Sequence, residues 1–203
     1  MVAWALLLGG LSAVSLCVGA TSIFTGELDA GWILAISRFP RTAAALLTGV
    51  GLALAGVVVQ QAVQNRMVEP SLIGTPEAAM LGLLAITLMA PGAAIVTKMS
   101  VAALAALLGM GVFLLIARAI PRHDPMLLPI IGLIYGGILF SSAIWIAWTT
   151  DLMQYLGTWR LGEFSGVMQG RYEMLWIVAL IALLLYAIAD RITLLGFGEA
   201  QAR

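Results

Sequence analysis

Charge is scarce in this sequence: ten basic and ten acidic side chains stand among 203 residues, 10% in all, and they cancel. A soluble domain carries about 25% charged residues, so a water-facing globular fold is excluded. The balance also leaves no basic footprint on which nucleic-acid binding could rest. Cysteine occurs once, as Cys17 inside an apolar run, which excludes an internal disulfide and reads as a small buried hydrophobe. Histidine occurs once as well. His123 sits in Arg122-His123-Asp124-Pro125 without the Cys, His or carboxylate cluster that a metal ligand needs, and reads as a solvated loop residue. No P-loop is present, and the glycines of Gly49-Val50-Gly51 and Gly109-Met110-Gly111 lie in apolar helices as packing residues. These absences leave no catalytic residue, metal ligand or cofactor to assign.

Hydrophobic residues make up 62% of the chain, and the mean hydropathy of +1.06 marks an integral membrane protein. The N-terminal run MVAWALLLGGLSAVSLCVGATS lacks the positive n-region of a secretory signal, and Leu16 before Cys17 suits neither cleavage nor lipid attachment. It is the first of six segments near the ~20 residues that a membrane-spanning helix needs. They run roughly over 3–23, 41–64, 76–91, 97–118, 127–149 and 173–189. Thr75-Pro76-Glu77 predicts a cap, a helix-starting proline and a first-turn acid for the third. The connection from Asp151 to Arg171 is long enough for a short surface helix, and Trp145, Trp148, Trp159 and Trp176 around it suit an interfacial aromatic belt. The expected fold is therefore all-α: a polytopic membrane helix bundle of about six transmembrane helices, forming one domain over 1–203.

Ser37-Arg38-Phe39-Pro40-Arg41-Thr42 is the local anomaly. Pro40 fits the first position of a helix, where its missing N–H costs nothing. Arg38 and Arg41 then stand at a helix N-terminus, where the macrodipole disfavours cations by ~0.3–1 kcal/mol each. Orientation does not explain them either. One side of the membrane collects Arg38, Arg41, Lys98, Arg160 and Arg171, the other Arg66, Arg118, Arg122, Arg191 and Arg203, so the Lys/Arg bias is nil.

Small residues recur at four-residue spacing in Ala45, Gly49 and Ala53 and again in Gly132 and Gly136, a pattern that lets helices approach closely in lipid. Gln60, Gln64 and Asn65 end the second segment, with Gln60 and Gln64 one turn apart on one face. Polar groups at membrane depth need a partner or water. Two readings stand: a helix emerging into the interface, or the lining of a polar pathway.

Taken together, Arg38-Phe39-Pro40-Arg41-Thr42, then Gly56, Gln60, Asn65 and Glu69-Pro70-Ser71-Leu72-Ile73-Gly74, and finally Gly198-Glu199-Ala200-Gln201-Ala202-Arg203 form an ordered series. It resembles the permease subunits of FecCD-type ABC importers for iron–siderophore, haem and vitamin B12. Their signature is R-x-P-R, then G-x-x-x-Q-x-x-x-x-N-P-L-A-[DE]-P-x-x-x-G, then G-E-x-x-A-R. Arg66 and Met67 depart from it, replacing the usual Pro-Leu after Asn65.

The resemblance implies a ten-helix permease in a bacterial inner membrane, with a cytoplasmic N-terminus. Its partners would be a periplasmic substrate-binding protein, ABC ATPase subunits, a second permease subunit, the lipid bilayer and an iron–siderophore substrate. Arg38 and Arg41 would face the periplasm and dock the binding protein. Gln60, Gln64, Asn65 and Met67 would form the pathway or cytoplasmic gate. Gly198, Glu199, Ala202 and Arg203 would begin the coupling helix that engages the ATPase, so that the chain stops at the start of that helix and reads as a fragment. Thr75-Pro76-Glu77-Ala78-Ala79 and Gly170-Arg171-Tyr172-Glu173 look closest to the branch that handles catecholate siderophores. Two rivals remain. An ion-gradient-driven secondary transporter would use an intramembrane ionisable group, for which Glu77 is the near candidate. A non-transporting membrane scaffold would bind no ATPase.

Overall fold

In the computed structural model, the described residues are 2–18, 30–63, 65–120, 126–162, 164, 166–170 and 172–188. All regular structure among them is helical: α1 (Val2–Cys17), α2 (Ala30–Ile33), a π-helical stretch (Leu34–Arg38), α3 (Phe39–Val63), a 3-10 turn (Pro70–Ile73), α4 (Thr75–Met89), α5 (Ile95–Arg118), α6 (Leu127–Thr149), α7 (Met153–Leu161) and α8 (Leu175–Ala187). The fold is an all-α polytopic membrane bundle. Three helical runs, Gly31–Gln61, Ile95–Arg118 and Leu127–Thr149, are long and apolar enough to cross a bilayer; α1, α4 and α8 are apolar but shorter. The six hydrophobic segments of the sequence thus all become helices, and the surface helix expected after Asp151 is α7.

Contacts divide the chain into two compact units, one of residues 1–51 and 163–184, the other of 52–162 and 185–203. In the first unit, α1 and α8 bury none of their own residues. Cys17 is accordingly exposed rather than buried, because α1 is apolar on every side and meets no described residue along most of its length. Gly51 packs on α8, where an added Cβ would stand 2.7 Å from Val178 Cγ1.

Pro40 does not start a helix. Helical geometry begins at Ala30 and continues through it to Val63. A proline inside an α-helix lacks the N–H owed to the carbonyl four residues back and clashes with that carbonyl. Here the preceding turn widens to π geometry, with the Phe39 N–H donating to the Leu34 carbonyl. The carbonyl that Pro40 leaves unserved, Ile36, accepts instead from the Gln169 N–H at 3.0 Å. The sequence expectation failed because it allowed proline only the cheapest helical position and not a π-bulge.

In the second unit, α4 lies between α5 and α6. Gly82 meets α5 with only 2.6 Å for an added Cβ against Ala105 Cβ, and Gly109 abuts Ala78. Small residues on both helices create this close approach, which gives packing in lipid where hydrophobicity alone gives none. One core cluster joins Val59, Val68, Ile73, Phe113 and Leu128; another joins Met80, Leu84, Ala143, Ala147 and Leu156.

The segment between α3 and α4 is irregular, and its apolar side chains Val68 and Ile73 are buried, each 1% exposed. Gly132 of α6 leaves room for the Leu72 carbonyl, and Gly74, at φ +76, is covered by the Tyr135 ring. At 1.5 Å per residue, Gly132 and Gly136 lie about 8 and 14 Å along α6 from its start. Non-helical backbone survives at such depth only when protein covers it, and the α6 glycines supply the room. The N-cap of α4 is Gly74 rather than Thr75. The Thr75 hydroxyl is engaged elsewhere, donating to the Pro70 carbonyl at 2.8 Å and so bracing the 3-10 turn.

Candidate functional site

Two places bring the sequence-derived candidates into defined geometry. The first surrounds the arginine pair. Arg38 is 5% exposed and its Nη1 donates to the carbonyls of Leu16 at 2.9 Å and Cys17 at 2.6 Å. Those carbonyls belong to the last turn of α1, where no intrahelical donor is available. A cation there also meets the negative end of the helix dipole. Thr42, one turn later, shares a 2.9 Å hydrogen bond with the Ser15 hydroxyl. Arg41 differs. Its side chain is half-buried, and its Nε is buried with no hydrogen-bond partner among the described residues. A buried N–H without an acceptor is uncommon.

Beside the pair, Phe39 meets Tyr172 edge-on at 6.5 Å between ring centroids, and Tyr172 meets Trp176 at 6.4 Å. Glu173 accepts from the main-chain N–H groups of Gly170 and Tyr172, which fixes the turn into α8. These N–H donors, Gly170 first, hold its carboxylate below the ordinary glutamate range.

The second place is an open cleft of ≈ 270 Å³ lined by residues of α3 (Leu52, Gly56, Val57 and Gln60 among them) and by Glu69, Pro70 and Ser71. It is smaller than the roughly 300–1,000 Å³ of sites that enclose a drug-sized molecule, so it can hold only part of a large ligand. Its wall is apolar apart from an amide, a carboxylate and a hydroxyl. Gln60 therefore faces a cleft. Asn65 is joined to Gln60 through the main chain, its N–H donating to the Gln60 carbonyl at 3.1 Å, while its side-chain Oδ1 accepts from the Met67 N–H at 2.9 Å. This contact makes Asn65 the former of the turn that ends α3, and Met67 is exposed beyond it.

Gln64 and the closing Gly198, Glu199, Ala202 and Arg203 lie outside the described residues, as does His123. Among the described residues, the Ala45-Gly49-Ala53 stripe packs against nothing at Gly49, whereas Gly132 and Gly136 are both packed, on Leu72 and beside Glu77. Glu77 itself has a buried Oε2 that finds no partner among the described residues. Trp145 and Trp148 are exposed, while Trp159 packs on the cluster around Leu156. Sequence reasoning missed Glu69 and Ser71 as cleft residues and Gln169 as the partner of Ile36. Glu69 and Ser71 flank Pro70 and so carried a signal. A main-chain donor such as Gln169 carries none.

Comparison with known proteins gives a consistent result. The model of the FecCD transport family matches residues 2–203. The petrobactin import system permease protein FatD of Bacillus anthracis is 36% identical over 195 residues, covering 93% of this chain and 58% of that protein. The ferric-anguibactin transport system permease protein FatD of Vibrio anguillarum is 37% identical, with 93% and 62% covered. The vitamin B12 import system permease protein BtuC of Klebsiella pneumoniae is 34% identical, with 94% and 59% covered. The chain thus spans about three fifths of the length of these relatives. A solved chain of a metal-chelate type ABC transporter, in an inward-facing conformation, shares the fold at a TM-score of 0.75 and 22% identity, over 98% of this chain and 64% of that one.

Proposed function

This chain belongs to the FecCD transport family, and on that footing we propose that it forms part of the permease subunit of an ATP-binding-cassette importer. Its cargo is an iron–siderophore complex or a related metal chelate, carried from periplasm to cytoplasm across a bacterial inner membrane. The observation that carries this reading is the family match along 2–203, together with relatives named for petrobactin, anguibactin and vitamin B12 import. The two siderophore relatives, and the Thr75–Ala79 stretch, favour the siderophore branch.

In this reading the N-terminus is cytoplasmic and the arginine pair lies at the periplasmic end of α3. A loaded binding protein docks there through its carboxylates. Gln60, Gln64, Asn65 and Met67 stand at the cytoplasmic end, where a gate closes the pathway between two permease subunits. The Gly198–Arg203 element meets an ATPase subunit, and ATP binding there moves the helices between outward and inward access. The permease makes and breaks no covalent bond; ATP hydrolysis belongs to the partner subunit.

The test is reconstitution of the full permease with its ATPase and binding protein in liposomes, with ferric siderophore outside and ATP inside. Uptake that requires ATP and the binding protein supports the importer. Uptake driven by a proton or sodium gradient without the ATPase would replace it with the secondary-transport rival. Failure of any ATPase to co-purify would favour the scaffold.

A further inference from the structure

The turn that ends α3 carries a charge where the family signature has none. Asn65 opens it: the Val68 N–H donates to the Asn65 carbonyl at 3.4 Å and the Met67 N–H to the Asn65 Oδ1 at 2.9 Å. Arg66 and Met67 are therefore the two corner residues, and both are exposed. The turn is seated on both sides, because Val63 before it and Val68 after it pack with Phe113 and Leu128. Proline is favoured at the first corner of such a turn, since its fixed φ suits the bend, and the signature has Pro-Leu at these two positions. Arg66 takes the same corner without strain, for among the described residues outside glycine only Asp151 has a positive φ. Asn65 Oδ1, by holding the Met67 N–H, fixes the corner that a proline ring would otherwise pre-set. Arginine in place of proline thus keeps the turn and adds a cation on a fixed backbone. No described residue is bonded to the Arg66 guanidinium. Glu69, the nearest acid along the chain, lines the cleft with Gln60 and Ser71 instead.

From this we infer that Arg66 is a charge-selecting residue of the cytoplasmic gate, and that the cargo it favours is a metal chelate of net negative charge. The inference rests on the gate reading above and adds to it the charge class of the cargo. Two permease subunits bring two copies of the turn to one gate, and cationic side chains around a constriction favour anions. Beside the low-dielectric bundle, charges attract more strongly than in bulk water. Because Arg66 is exposed, water and salt screen it, so the pull draws an anion in without holding it fast. A neutral or cationic chelate gains nothing from the same position. An arginine kept only for cytoplasmic topology acts during insertion and exerts no pull on cargo.

The experiment measures ATP-dependent uptake of a ferric tris-catecholate, an anion, by the full permease with its ATPase and binding protein in liposomes holding ATP. Maximal rates are normalised to assembled complex, which removes any effect on insertion. Arg66→Lys is expected to stay within about twofold of the parent, whereas Arg66→Glu falls about twentyfold. Arg66→Gln and Arg66→Pro, unlike in shape but alike in charge, should fall together by about fivefold. Half-maximal uptake should need the same concentration of loaded binding protein within about twofold, because docking lies at the opposite end of α3. Raising the salt inside the liposomes from about 0.05 to 0.5 M should shrink the gap between the parent and Arg66→Gln to less than about twofold. A merely structural corner residue would not respond to internal salt. Arg66→Pro restores the signature's own corner, so a fold lost in Arg66→Gln alone leaves the charge comparison intact. Arg66→Glu at the parent rate, Arg66→Pro at the parent rate while Arg66→Gln falls, or a gap indifferent to internal salt each overturns the inference and leaves ATP-driven import standing. A parent that takes up the chelate only without ATP, or not at all, fails the importer reading and this inference with it.

Discussion

The N–H of Gln169 donates at 3.0 Å to the carbonyl of Ile36, the carbonyl that a residue at position 40 would serve in an unbroken α-helix. Because position 40 is proline, the acceptor is released to a residue far away in sequence. One local substitution rule, the missing proline N–H, thereby becomes a long-range tie within the first unit.

Pro40→Ala should break this tie. Alanine returns the N–H to the helix, removes the reason for the π turn and leaves Gln169 competing for its acceptor. A hydrogen bond contributes about 0.5–1.5 kcal/mol net, so amide protection at Gln169 should fall by up to about tenfold. Hydrogen exchange of the assembled permease reads this directly. Unchanged protection would mean that the π turn persists for a reason other than Pro40.

Glu173 makes the same region sensitive to acid. Its carboxylate is held below the ordinary range by the Gly170 N–H first, then by the main-chain N–H groups of Glu173 itself and Tyr172. A carboxylate with a depressed value contributes in full above the range of a free glutamate, and the contribution fades as pH falls through the lowered value. Fluorescence of Trp176, whose ring stands 6.4 Å from Tyr172, should change on acidification below that range. In Glu173→Gln the step should be absent.

Packing glycines differ sharply in what they tolerate. Gly132 faces the Leu72 carbonyl and Gly74 faces the Tyr135 ring at positive φ, whereas no described residue stands within 4 Å of an added Cβ at Gly49 or Gly111. Gly132→Ala and Gly74→Ala should each cost about 1–3 kcal/mol, lowering the melting temperature of the detergent-solubilised permease. Gly49→Ala should leave it unchanged in the isolated chain. A loss at Gly49 equal to that at Gly132 would contradict the packing described for α6.

These contrasts explain how much was legible in the sequence. Hydrophobic runs located all six apolar helices, since lipid selects composition over any single contact. The Ala45-Gly49-Ala53 and Gly132-x3-Gly136 patterns read alike, yet among the described residues only the second is packed, because spacing records the possibility of close approach and not the presence of a neighbour. Arg38 and Arg41 read as a pair for the same reason. Their unlike surroundings depend on where the end of α1 falls, a tertiary fact with no local signal. The sequence leaves Gln60 two readings, a helix end entering the interface or the lining of a polar pathway, and in the structure it lines a cleft. Its companions Glu69 and Ser71 flank Pro70 in the quoted motif, but their place beside Gln60 depends on a segment seated against glycines of α6, some sixty residues later.

Glu77 offers a test that separates ATP-driven import from ion-coupled transport. Its Oε2 is buried without a partner among the described residues and lies 3.7 Å from where a Cβ on Gly136 would stand. Unpaired carboxylates inside a membrane bundle are costly and usually mark an ion or proton route. In an importer powered from outside the membrane, no such route is needed, and replacing the carboxyl by an apolar group of similar size removes the cost of an unpaired polar atom. Glu77→Leu is therefore expected to leave ATP-dependent ferric-siderophore uptake within about twofold and to raise the melting temperature, by up to ~1–3 kcal/mol of stability. A secondary transporter predicts the reverse, with uptake abolished while stability holds. Parallel measurement of vesicle uptake and thermal unfolding distinguishes the two, because a variant that loses transport without losing stability would assign Glu77 to an ion path.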